Sequence, residues 1–500
     1  MEETELMWRQ LLKLDRSPGT ALQIQLRSSL ANAILDGRLP DGLRLPSSRD
    51  LARILDISRN TVLLVYERLV AEGHLESRTR EGHFVRATIK RTGVAPLAAE
   101  PVSRLPAWER HFRQPGTFRW LDRPSGWQKY RYAFVYGQFD PKLFPLSDWR
   151  ECNRLALEVG AVRNWGQDDV DGGSGMLIDQ LIRTVLPRRG ISARPEEVML
   201  TMGTQHGLYM LSKLLCTPGR VVGVEDPGYM DARNIFSHDG ARIVALPVDE
   251  EGLSMTPTLG ACQFVYCTPS HQCPTGVTMS TQRRLELLDH ASRYDQLIIE
   301  DDYDPETQYV GQPLPALKAI DKCDRVIYLS SLSKLLSPGL RVGFIVAPAV
   351  VIERLRELRR LMIRQVPGNN ERTAALFIRH GHYDRLLHNT RESLRQRAGL
   401  LTHALRETLP DLTFREPQGG ASLWVTLPGQ IDQRALFGAC SASGLLFDPG
   451  EPFFHEPSHP PCVRLGFSVI DAERIVPGVE EFARHVNALR RRPGRATRAR

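Results

Sequence analysis

From residue 132 onward the chain alternates short β-branched runs with longer stretches of helical period, and this alternation excludes most architectures. The runs lie at 197–202, 221–225, 263–267, 297–301, 326–330 and 342–346. β-Branched side chains suit a pleated, buried surface, whereas apolar residues three and four apart mark one face of a helix. Strands separated by helices do not pair as hairpins, so the expected fold is α/β, a mostly parallel sheet with helices on both faces. Such sheets bind ligands beyond the carboxyl ends of their strands. The residues that follow each run are therefore the candidates for chemistry.

The first ninety residues read differently. Leu22, Leu26, Leu30, Ala33 and Ile34 recur at helical spacing, and Asp36-Gly37 ends the pattern. A second helix starts after Pro46, with Ser47 as its cap and Asp50 three residues on; Leu51, Ile54 and Leu55 form its inner face. Ser58 caps a third helix whose inner face is Val62, Val65, Tyr66, Leu69 and Val70. Two short helices joined by a tight turn make a helix-turn-helix. HLESRTREGHFVR then alternates around Glu81-Gly82 as a hairpin would, which completes a winged helix.

This gives four segments. Residues 1–86 form an α-rich winged helix, 87–131 a basic Pro/Arg-rich linker, 132–489 the α/β domain and 490–500 an arginine-rich tail. The net charge of +7 is unevenly spread: the linker holds nine Lys/Arg against three Asp/Glu, and the tail has six arginines. Basic appendages on a mildly acidic body suit a polyanion partner. No apolar run approaches the roughly 20 residues of a membrane span, and the N-terminus MEETELMWRQ lacks a basic-then-apolar signal pattern. The expectation is a cytoplasmic protein with no membrane partner. Eight scattered cysteines without a C-x-x-C read as reduced thiols, with no metal site.

The run ends supply a coherent set of groups. After EVMLTM, Gly203-Thr204-Gln205 opens a helix, where free N–H groups and the helix dipole favour an anion. Pro227-Gly228-Tyr229 brings an aromatic ring, and LIIE leads to Asp301, Asp302 and Tyr303. VIYLS leads to Ser331, Ser333 and Lys334, with Arg341 seven positions after the lysine. An amine, a carboxylate, a flat ring and anion donors at one mouth match the needs of pyridoxal 5'-phosphate.

SLSKLLSPGLRVG, EDDYDPE and the HQCPTG loop resemble the fold type I aminotransferases, and LRLPSSRDLARILDISRNTVLLVYERLVAEGHL resembles GntR-type winged helices. In this order the two resemble a MocR-type transcriptional regulator. The resemblance implies that Lys334 forms the Schiff base, Asp301 faces the pyridine nitrogen, Tyr303 contacts the ring hydroxyl and Tyr229 stacks on the ring. It also implies a phosphate cup of Gly203, Thr204, Gln205, Ser331, Ser333 and Arg341, with Arg464 for a substrate carboxylate. In the winged helix it assigns DNA contacts to Arg49, Ser58, Arg59, Asn60 and Thr61, with Gly82 at the wing tip. Three positions depart from the pattern: Cys273 replaces an asparagine or aromatic, Trp165 stands near the place of a tyrosine that reaches the partner subunit, and Asp231 replaces an arginine.

The implied function is a homodimeric regulator that binds double-stranded DNA, at paired half-sites, and senses a small amino compound or the cofactor itself through Lys334. The rival is an active aminotransferase with a vestigial DNA-binding domain.

Overall fold

In the computed structural model, which describes residues 2–16, 20–86, 108–111, 118–137, 140–168, 174–429, 431–456 and 458–490, the helical spacings of the first ninety residues become four helices. They are α1 (Glu2–Leu11), α2 (Leu22–Leu35), α3 (Ser48–Leu55) and α4 (Arg59–Ala71). Ser47 caps α3 by accepting from the Asp50 N–H, and Ser58 caps α4 by accepting from the Asn60 N–H, both at 3.2 Å. Each cap satisfies one of the unpaired amides of a helix start, an effect of about 1 kcal/mol. Asp56 in the left-handed region closes α3 and makes the turn to α4 sharp.

The wing is β1 (Leu75–Arg78) paired antiparallel with β2 (Gly82–Val85), with Leu75 opposite Val85. Both of those residues enter the core, beside Leu26, Leu30, Leu51, Val62, Val65, Tyr66 and Leu69. The sequence reading did not identify α1. Its Trp8, 3% exposed, joins the same core, and Glu5 pairs with Arg53 of α3 at 2.8 Å.

The chain divides into two compact units, Met1–Phe112 and Arg113–Arg500. Residues 87–107 and 112–117 of the linker, and 491–500 of the tail, lie outside the described residues. Trp108–Arg110 is a single 3-10 turn. Residues from 118 onward are part of the larger unit, where Leu121 packs beside Phe453 and Cys273.

The larger unit contains two sheets. Its strands are β3 (Tyr132–Phe134), β4 (Val198–Thr201), β5 (Val221–Asp226), β6 (Arg242–Asp249), β7 (Gly252–Leu253), β8 (Phe264–Cys267), β9 (Leu297–Asp302), β10 (Val326–Ser331), β11 (Gly343–Val346), β12 (Thr413–Phe414), β13 (Ser422–Thr426), β14 (Leu445–Pro449) and β15 (Cys462–Gly466). The eight-stranded sheet has the order β4-β11-β10-β9-β8-β5-β6-β7. Its centre, β10-β9-β8-β5-β6, is parallel, while β11 runs antiparallel to both neighbours and β7 to β6.

Apolar clusters line both faces of this sheet, which explains why its strands read as nearly continuous apolar runs. The smaller sheet, β12-β13-β15-β14-β3, is closed against the long helices His382–Thr408 and Ala472–Arg490. Because β5, β8, β9 and β10 are parallel neighbours, their carboxyl ends share one edge. Tyr229, the HQCPTG loop, Asp301 and Lys334 all leave from that edge.

Candidate functional site

A cavity of about 390 Å³ opens at this edge, lined by Thr204, Tyr229, Asp231, Cys273, Asp301, Tyr303, Lys334 and Arg464, among others. Six of the residues expected from the sequence to act on a cofactor or substrate thus share one wall: Thr204, Tyr229, Asp301, Tyr303, Lys334 and Arg464. The lysine lies in the loop after β10 with its Nζ 4.8 Å from the centroid of the Tyr136 ring. Burial lowers the pKa of its amine, against the pull of Asp304 in the other direction. A lysine in this state spends more time as the nucleophilic free amine. Gly137, at φ 82°, makes room for it, since a Cβ there would stand 3.0 Å from Nζ.

Asp301 is the last residue but one of β9 and is 3% exposed. Its Oδ2 accepts from the Tyr266 hydroxyl at 2.7 Å, and its Oδ1 has no hydrogen-bond partner among the described residues. Burial pushes the carboxyl up to about 7, although the Tyr266 bond and the nearby Lys334 favour the charged form. Tyr303 donates to the His271 carbonyl at 2.7 Å and meets Tyr136 edge to face. The Tyr229 hydroxyl lies 2.8 Å from Gln205 Oε1 and 3.0 Å from Asp231 Oδ2, so one proton is shared between two acceptors. Burial raises the pKa of both tyrosines well above the ordinary value, and they remain proton donors.

The expected anion cup lies next to the cavity. Gly203, at φ 86°, precedes the helix Thr204–Leu215, and Arg341 crosses so close that a Cβ on Gly203 would stand 2.8 Å from its Nη2. Arg341 itself is exposed, with Nη2 donating to the Met202 carbonyl at 2.7 Å. Ser331 and Ser333 are at the same edge, but both hydroxyls donate to the Val342 carbonyl, at 2.9 and 3.3 Å. Their hydrogen bonds hold the lysine loop in shape.

The HQCPTG loop is held from below. The Gln272 amide donates to Glu225 Oε2 and to the Pro227 carbonyl, and Thr268 donates to the same Glu225 oxygen. Cys273 therefore faces the cavity, where burial pushes its thiol up to about 11. Trp165 does not reach this cavity: its indole N–H donates to the Ala156 carbonyl at 2.8 Å, and it lines a separate cleft with Gly175, Gly368 and Glu371.

Arg464, on β15, is 5% exposed. It pairs with Asp448 of β14, which stands opposite it in the strand register, through Nε and Nη2 at 3.1 and 2.8 Å. The rings of Tyr136 and Phe453 pack against its guanidinium at 4.5 and 4.6 Å. Tyr136, Asp448, Phe453 and Arg123 were not singled out in the sequence. The aromatic-glycine pair Tyr136-Gly137 after the aromatic-rich run at 130–135 is the one local signal that could have found any of them.

In the smaller unit, Arg49, Ser58, Arg59 and Asn60 are exposed and Thr61 is half-buried at the start of α4. Arg59 Nε lies 3.5 Å from the Ser48 hydroxyl, which ties the two helix starts together. Gly82, at φ 113°, begins β2 opposite Arg78, whose guanidinium covers the Phe84 ring at 4.3 Å. Among the described residues no helix is long and apolar enough to cross a membrane, and no group of three or more His, Cys, Asp or Glu could hold a metal.

Residues 172–482 match the model of aminotransferase class I and II, and residues 22–85 match that of bacterial regulatory proteins of the gntR family. The chain is 39% identical to the HTH-type transcriptional regulator TauR of Rhodobacter capsulatus, over 93% of this chain and 96% of that protein. It is 32% identical to the probable rhizopine catabolism regulatory protein MocR of Rhizobium meliloti, over 94% and 95%. Among solved structures, the kynurenine aminotransferase of Pyrococcus horikoshii, determined in complex with PMP, superposes with a TM-score of 0.68 at 28% identity, over 72% of this chain and 91% of that one. A winged helix-turn-helix followed by this cavity-bearing α/β unit, with likeness along nearly the whole chain, places the protein in the MocR/TauR family of transcriptional regulators, which join a GntR domain to a fold type I aminotransferase domain.

Proposed function

We propose that the protein binds pyridoxal phosphate at Lys334, detects a small amino compound there, and changes its grip on operator DNA in response. The observation that carries this reading is the pairing of a half-buried lysine, its amine shifted toward the free form, with a buried aspartate whose Oδ1 has no partner among the described residues. An unpaired buried carboxylate oxygen is costly. A protonated ring nitrogen would supply the partner, so the residues present fit the cofactor. The PMP in the Pyrococcus horikoshii structure supports the same assignment.

When bound, the cofactor supplies an electrophilic carbon that exchanges one amine for another. The chain's residues do the rest. Lys334 provides the resident amine, Asp301 holds the ring nitrogen protonated, and Tyr229 and Tyr303 keep their hydroxyl protons beside the ring. The Gly203–Gln205 turn and Arg341 present N–H donors to the phosphate, and Arg464 orients an acid group on the ligand. Arg59 and Asn60, on the exposed start of α4, enter the major groove, while Arg49 and Ser58 contact phosphates. A homodimer would place two such helices on paired half-sites. The switch requires only that the ligand bind one conformation better than the other.

The test is binding of the purified full chain to its own upstream DNA and to scrambled DNA, with cofactor, with and without amines. A preference of about a thousandfold for the native DNA, altered by an amine, supports the reading. Equal weak binding that no amine alters overturns it. The intact lysine–aspartate pair also favours a second reading, a working aminotransferase; steady turnover with a 2-oxo acid acceptor would establish that activity.

A further inference from the structure

The cavity contains a second arginine, Arg123, which comes from the stretch that leads back toward the smaller unit. This stretch is anchored to the larger unit. The Arg119 N–H and carbonyl pair with the Asn234 side chain at 3.3 and 2.7 Å, and Arg123 Nη2 donates to the Tyr136 carbonyl at 2.7 Å.

Asp448, 1% exposed, accepts from both guanidiniums. Arg464 reaches Oδ2 through Nε and Nη2 at 3.1 and 2.8 Å; Arg123 reaches Oδ1 through the same two nitrogens at 3.2 and 3.1 Å. Both arginines therefore present their remaining nitrogen elsewhere. Arg464 Nη1 has only the Cys273 sulfur, at 3.9 Å, and Arg123 Nη1 has no hydrogen-bond partner among the described residues. Two cations share one counter-ion, which leaves this cluster of three side chains with one net positive charge. A monoanion with several acceptor oxygens would match both the charge and the two free donors.

Resting on the reading that ligand amines enter at Lys334, we propose that Arg123 is a specificity-determining residue. With Arg464 it takes the single oxyanion group of the incoming amine, and Asp448 holds the two guanidiniums side by side for this contact. Lys334 and Arg464 lie 4.8 and 4.5 Å from the centroid of one ring, that of Tyr136, so a short molecule can span from one to the other. Asp231, which lines the same cavity, disfavours a second acid group.

The experiment uses the cofactor-loaded full chain and two probes of equal length, 3-aminopropanoate and propylamine, followed through the absorbance of the bound cofactor. The wild type should respond to 3-aminopropanoate at the lower concentration. Arg123→Gln should raise its half-saturating concentration at least about tenfold, the effect of one charge-assisted hydrogen bond, and shrink the ratio between the probes by the same factor. Arg123→Lys, which keeps the charge but loses the fork, should restore part of that ratio. Weakening of both probes to the same extent, or an unchanged ratio, overturns the proposal and makes Arg123 a purely structural residue. A wild type that prefers propylamine also overturns it while leaving the sensing reading intact. A wild type whose cofactor responds to no amine overturns both.

Discussion

The Tyr266 hydroxyl donates to Asp301 Oδ2 at 2.7 Å while Oδ1 on the same carboxyl has no partner among the described residues. β8 and β9 are parallel neighbours, so the tyrosine is carried by the strand beside the aspartate and holds it in one orientation. This is the arrangement expected of a carboxylate kept ready for a cationic partner.

The pH dependence of the cofactor-free protein follows from this pair. Burial raises the Asp301 carboxyl to about 7, above its value in the unfolded chain. The folded state therefore holds a proton that the unfolded state has released, and stability falls as pH rises from about 4 to about 7. Asp301→Asn keeps the Tyr266 bond and removes the titration. Its unfolding free energy, read from urea titrations, should fall less over this window than the wild type's, a difference on the order of 2 kcal/mol after allowance for relaxation. Parallel pH curves would show that Asp301 does not titrate there.

Lys334→Ala should yield a protein that no longer carries the cofactor's visible absorbance after gel filtration. In a reporter assay it should also lose its response to amines. The substitution removes a half-buried cation from a cavity wall, so the thermal midpoint should change little or rise. A retained amine response would contradict the role assigned to this lysine.

Arg59→Ala should weaken binding to the native operator by about 1–3 kcal/mol, with less effect on scrambled DNA, as for an arginine that reads a base edge. A uniform loss on both DNAs, with a shallower salt dependence, would assign it to phosphate instead. Competition binding at one salt concentration, repeated at a second, separates the two.

Trp8→Ala should cost about 3–5 kcal/mol of the winged helix's stability, because the ring is buried against α3 and the wing core. DNA affinity should fall with it at physiological temperature while the cofactor's absorbance persists. Loss of both together would mean that the two units do not unfold separately.

Much of this was legible in the chain because its signals are local. Ser47 and Ser58 announce helix starts through bonds that span two or three residues, and the apolar periods of α2, α3 and α4 identify their own buried faces. The six β-branched runs at 197–346 lie on strands of one sheet, and the polar residues after five of them share its carboxyl edge, since strands that run the same way must end on the same side; the sixth, β11, runs the other way. Lys334, Asp301 and Tyr229 are therefore associated by the chain's own local pattern.

α1 was missed because only Trp8 of its four apolar residues is fully buried, so their spacing marks no clear inner face, and its burial depends on a core supplied by other helices. The acid-group subsite was likewise beyond the reach of local reasoning. Arg123, Tyr136, Asp448 and Arg464 come from distant parts of the chain. They meet because β14 pairs with β3 on one side and with β15 on the other, in a register that puts Asp448 opposite Arg464. The sequence by itself determined the two folds and the chemistry at each strand end, because these follow from neighbours along the chain. Only the tertiary structure decided which charges share a counter-ion, because strand register and burial place side chains hundreds of positions apart within hydrogen-bond reach.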